Sequence, residues 1–77
     1  MKTKLKIEND KLNIELKPGD KILVELLNGK KKGYIFNEVS SHNEYRLFEV
    51  KANSKIVVGL KWFTYEKNAY LWEEENG

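Results

Sequence analysis

Cysteine is absent from this 77-residue chain, which removes disulfides, Cys-ligated zinc and thiol nucleophiles together. Histidine occurs once, at His42, and a single histidine without cysteine is a poor metal-ligand set. A nucleophilic triad would need Ser40 or Ser41 activated by a histidine that a carboxylate orients, and adjacent Ser-Ser-His in a loop does not supply that geometry. His42 is therefore read as a solvated loop residue. The carboxylates are dispersed, most with a lysine nearby, and no glycine-rich phosphate loop is present. The chain is expected to be no enzyme and to hold neither cofactor nor metal.

Long apolar runs are missing as well. Residues 1–5 open a charged, alternating segment of neither signal-peptide nor membrane-spanning kind, so a cytoplasmic location with no membrane partner is expected. Arginine occurs only at Arg46, and the net charge of +2 is carried by lysine. Lysine attracts phosphate diffusely, whereas bidentate reading of guanine favours the guanidinium fork. Alanine occurs only at Ala52 and Ala69 while Lys, Asn, Ile and Tyr abound, a composition that points to AT-rich coding DNA of the low-GC bacterial or phage kind.

No window shows sustained helical periodicity; what is present is alternation. Residues 4–8 and 11–16 alternate polar and apolar around Asn9-Asp10, two residue types that tolerate left-handed turn conformations. A two-residue loop there pairs Glu8 with Lys11, Ile7 with Leu12, Leu5 with Ile14 and Lys4 with Glu15, with all the apolar side chains on one face. Pro18-Gly19-Asp20 is a turn. A strand over residues 21–27 places Ile22, Val24 and Leu26 on one side and Leu23 and Leu27 on the other, so it is expected to be covered on both faces for part of its length. Asn28-Gly29 predicts a two-residue hairpin loop, with Glu25 facing Lys32, Ile22 facing Ile35 and Val24 facing Gly33. The return strand runs over residues 30–39. Strands are further expected over 44–51, 55–63 and 69–72. In the second of these Ile56, Val58, Leu60 and Trp62 share a face, and Gly59 marks a bulge. Turns fall at residues 52–54 and 66–68, and residues 73–77 form an acidic tail.

This pattern predicts a single all-β domain over residues 1–77: an N-terminal hairpin (1–17), a meander (18–72) and the tail. About six to seven short strands joined by frequent turns read as a small antiparallel barrel, since closure removes exposed edges. Pro18-Gly19-Asp20 leading into Lys21-Ile22-Leu23-Val24, then Asn28-Gly29, then Gly33-Tyr34-Ile35, resembles the Src-homology-3-like small barrels of the Tudor and chromo-barrel type over residues 18–62. The N-terminal hairpin is additional to the simplest form of that fold. The resemblance implies a binding module that holds peptides, modified side chains or nucleic acid on loop aromatics. It specifies no partner, because such folds host unrelated functions.

Two clusters are candidate contacts. Lys30, Lys31 and Lys32 form a basic hairpin tip, either a solubilising end or an anion site. Trp62, Phe63, Tyr65, Tyr70 and Trp72 crowd the C-terminal stretch; Trp62 is in phase with the core, leaving Tyr65, Tyr70 and Trp72 as contact candidates. The leading expectation is a protein-binding module, such as a phage- or mobile-element-encoded inhibitor or adaptor of a host protein. The alternative is a nucleic-acid-binding barrel that stacks bases on these aromatics and neutralises phosphates with the lysine tip. A third is a homo-oligomer formed through an unpaired edge over residues 11–16.

Overall fold

The structure is a computed structural model that describes residues 1–40, 43–65 and 67–73. Ser41, His42, Glu66 and most of the expected acidic tail lie outside the described residues.

The domain is all-β and antiparallel. Its strands are β1 (Lys2–Lys4), β2 (Ile7–Glu8), β3 (Lys11–Leu12), β4 (Lys21–Leu26), β5 (Lys31–Val39), β6 (Tyr45–Glu49), β7 (Ser54–Val58) and β8 (Lys67–Trp72), with one 3-10 turn at Leu60–Phe63. Six of them form one sheet in the order β1-β8-β4-β5-β6-β7, and β2 and β3 form a separate hairpin. β4 to β7 make a meander, and β8 returns to pair with β4.

The first hairpin begins as its alternation predicts. Ile7 pairs with Leu12 and Glu8 with Lys11, and Asn9 and Asp10 both adopt positive φ, 53° and 61°. It then stops, and the pairing of Lys4 with Glu15 does not occur. Asn13 ends the ladder: its Oδ1 accepts from the Lys6 amide at 2.8 Å and its Nδ2 donates to the Lys4 carbonyl at 3.1 Å. Lys4 pairs instead with Tyr70, so the chain start becomes a sheet strand beside β8. Residues 13–16 lie against the core, with Leu16 buried and Ile14 half-buried.

The second hairpin carries a three-residue loop. The Leu26 amide donates to the Lys30 carbonyl at 2.8 Å and the Gly29 amide to the Leu26 carbonyl at 2.9 Å. Gly29 takes the left-handed conformation (φ 86°), and the Lys30 amide donates to Asn28 Oδ1 at 3.0 Å, which stabilises this longer turn. The register moves by one residue from the expected one: Ile22 faces Tyr34, Leu23 faces Gly33 and Glu25 faces Lys31. A one-residue slip turns every side chain of the return strand to the other face. Tyr34 and Phe36 therefore enter the core, and Ile35 points outward.

The expected strand over residues 55–63 ends at Val58. Beyond Gly59 the chain turns through the 3-10 segment, in which consecutive Trp62 and Phe63 both pack inward. Strand alternation forbids that arrangement, since neighbouring side chains point to opposite faces. Phe63 is completely buried, with its ring 5.1 Å from both Tyr45 and Trp62. Phe36 against Tyr45 (6.2 Å) and Trp62 against Tyr34 (5.4 Å) extend this into a chain of rings joining β5, β6 and the turn. Barrel closure is not found: β1 and β7 remain the two ends of the sheet. The strand expected to reach round gives up its last residues to the 3-10 turn.

Leu5, Ile22, Val24, Leu47, Ala69 and Leu71 complete the centre of the core. A domain of this size is stable by roughly 4–12 kcal/mol. Phe63→Ala removes the ring that the others pack on, at a cost of about 3–5 kcal/mol. Urea denaturation of this variant is expected to show a largely unfolded protein already at low denaturant, whereas Val57→Ala, at an exposed position, stays near the parent midpoint.

Candidate functional site

The face of the sheet turned away from the core is built by alternation. On β8, Ala69 and Leu71 point inward and Tyr70 and Trp72 outward. On β4 the outward residues are Lys21, Leu23 and Glu25; on β5 they are Lys31, Gly33 and Ile35; on β6 Phe48 is outward. The ladders align these side chains into two rows across the strands. One row runs Lys2, Trp72, Lys21, Ile35, Phe48, Lys55. The other runs Lys4, Tyr70, Leu23, Gly33, and Val50 follows, with its amide donating to the Gly33 carbonyl at 3.0 Å.

The result is an apolar stripe bordered by lysines. Leu23, Ile35, Val50 and Trp72 line an open groove of 480 Å³. Trp72 is 41% exposed and Val50 53%. Gly33 lowers the groove floor: a Cβ there would meet only the Val50 side chain, at 4.0 Å. The missing side chain leaves a dip in the surface. Ile35 and Phe48 continue into a second groove of 620 Å³ over β6 and β7, reaching Val57. At the rim, Lys2 pairs with Glu25 at 3.3 Å and lies 4.8 Å from the centre of the Tyr70 ring.

The contact candidates named from sequence do not form one site. Tyr70 and Trp72 share the outer face. Tyr65 is 68% exposed, but its amide donates to the Lys61 carbonyl at 3.0 Å and it precedes β8 at the end where Lys67 faces Leu26. That is the strand's length from Trp72, about 17 Å at the usual rise per residue. The lysine tip is divided too. Lys31 belongs to the outer face, Lys30 lies in the turn, and Lys32 pairs with Glu49 at 3.6 Å on the opposite side. A cleft of 290 Å³ between the lysine tip and the β6–β7 turn adds Lys51 beside that carboxylate.

Leu23, Ile35, Phe48 and Val50 complete the face. Alternation over residues 21–27 already set Leu23 apart from Ile22, Val24 and Leu26, whereas the two-residue loop expected for the second hairpin paired Ile35 with Ile22 on the inner side. Leu27, expected to share the cover on that side of β4, is 79% exposed at the turn. Among the described residues, no three His, Asp or Glu side chains converge to hold a metal, and no helix is long and apolar enough to cross a membrane.

On the core side, burial pushes the hydroxyls of Tyr34 and Tyr45 above 10.0, and the Glu49 carboxylate adds to the rise at Tyr34. Glu49 is held there by the Ser54 hydroxyl, which donates to it at 3.2 Å. Because the folded state keeps these protons longer than the unfolded chain, the associated stability is full below pH 10.0 and is lost as pH rises through the raised values. The melting temperature is expected to fall with pH above 10, and less steeply in Tyr34→Phe; an equal slope in parent and variant would show that Tyr34 is not the group responsible.

Comparison with protein-family models, with curated proteins and with solved structures finds no match to this chain, so the residues described above carry the functional argument by themselves.

Proposed function

We propose that this chain is a non-enzymatic protein-binding module, acting in the cytosol as an inhibitor or adaptor that covers a surface of another protein. The observation that carries the reading is the stripe of Leu23, Ile35, Phe48, Val50, Tyr70 and Trp72 on the face opposite the core. A single-layer core does not need those side chains, and contiguous apolar surface with a polar rim is the mark of an interaction site. Trp72 and Tyr70 supply the large anchors that dominate interface energetics, and the lysines supply the rim. The aliphatic members favour protein over nucleic acid, because bases stack on aromatic planes and gain little from Leu, Ile or Val.

The Src-homology-3-like reading of the fold belongs to the same proposal. It is supported by the meander whose last strand, after one 3-10 turn, returns to its first.

Immobilised protein is expected to retain a specific protein from lysate of its source cell, insensitively to nuclease. Trp72→Ala is expected to weaken retention by about 2 kcal/mol, roughly thirtyfold. Gly33→Thr is expected to abolish it by filling the groove, with little loss of stability. Equal retention by parent and both variants removes the outer face as the site. Recovery of oligonucleotides with steep salt dependence replaces the reading with nucleic-acid binding.

A further inference from the structure

The two edges of the six-stranded sheet differ in how they are protected. β1 has three residues, two of them Lys2 and Lys4, and Asn13 hydrogen-bonds the Lys4 carbonyl. Charges and side-chain bonds of this kind discourage further pairing. β7 has neither protection beyond Lys55.

The ladder phase fixes which groups β7 offers. The bond from the Val50 amide to the Gly33 carbonyl marks these two residues as a hydrogen-bonded pair. In an antiparallel ladder such pairs alternate, so Phe48 bonds toward β5, while Leu47 and Glu49 bond toward β7. Their partners on β7 are Ile56 and Ser54. Lys55 and Val57 therefore direct both N–H and C=O away from the sheet. Among the described residues, none of residues 54–58 makes a backbone hydrogen bond outside the β6 ladder. The Val57 side chain is 58% exposed beside the Phe48 groove, and Lys55 has no ion-pair partner among the described residues.

We propose that β7 receives an extended acidic segment of another protein as an added antiparallel strand, with a carboxylate opposite Lys55 and an aliphatic side chain opposite Val57. The backbone groups of Lys55 and Val57 supply the main-chain bonds, as in other strand-addition complexes, and the two outward side chains supply the selectivity. A second copy of this chain is the poorer occupant: residues 54–58 contain no carboxylate to meet Lys55. The proposal rests on the protein-binding reading above and names the chemistry of the segment bound at one margin of that face.

The test uses a capped synthetic peptide, Thr-Val-Thr-Glu-Thr, and its analogue with lysine in place of glutamate, titrated into the isotopically labelled protein at low salt. Slowed exchange and shifted resonances are expected at the Lys55 and Val57 amides, while Ile56, already bonded to β6, changes little. Val57→Pro removes one outward amide and leaves the β6 ladder intact, so the acidic peptide is expected to bind about tenfold more weakly. Lys55→Glu reverses the preference between the two peptides and keeps the test independent of any folding defect in the proline variant. No protection at Lys55 and Val57 with either peptide, or unchanged binding by both variants, overturns the proposal. Protection of the same amides by raised protein concentration alone assigns the edge to a second copy and overturns it too. Loss of partner retention in Trp72→Ala with no peptide effect at β7 leaves the outer-face reading standing and removes only this inference.

Discussion

The packing of aromatic rings about Phe63 is the constraint on which the rest depends. Phe63 touches Tyr45 on one side and Trp62 on the other, and through them reaches Phe36 and Tyr34. Aromatic side chains bury the most area per residue, and edge-to-face pairs add about 0.5–1.5 kcal/mol each beyond that burial. In a short domain this outweighs continued strand pairing. Two consecutive large residues are brought inward only by leaving the extended conformation, and Gly59 and the 3-10 turn provide the departure.

That departure has consequences at both ends of the sheet. β7 stops before it has a second neighbour, so its outward backbone groups stay open. β8 is sent back to β4 and in turn accepts β1, which lets the chain start seal the far side. The N-terminal amine reaches the Glu73 carbonyl at 2.6 Å, and Asn13 ties the first hairpin to the same edge. The sheet thus has one guarded edge and one bare edge. The outer stripe of apolar residues runs between them, ending at Lys2 on the guarded side and Lys55 on the bare side.

The outer stripe follows from size as much as from sequence. With one core layer, inward residues take the available cover, and among the described residues no second layer packs over the outward apolar residues on β4, β5, β6 and β8. Gly33 deepens the surface between Leu23 and Val50 without being required by any close contact. Lysines at the margins, Lys2 on one side and Lys55 on the other, border the stripe with positive charge.

Local chemistry determined much of this protein. Alternation marked most strands, Asn9-Asp10 set the first turn and its first two pairs, and the lack of helical periodicity predicted an all-β chain. Those features act over a few residues, through φ preferences and the two-residue period of a strand. Tertiary structure decided three things that no short window contains. Asn28 and Gly29 fit either of two loop lengths, and the burial of Tyr34 and Phe36 selected the longer, which turned Ile35 outward. Residues 59–63 alternate well enough for a strand, and packing of Trp62 on Tyr34 and of Phe63 on Tyr45 drew them into a turn instead. Tyr65 stands seven residues from Trp72 in the chain, and only the return of β8 alongside β4 separated it from the face that Tyr70 and Trp72 share. In each case the free energy lies in contacts between distant segments, which sequence spacing does not record.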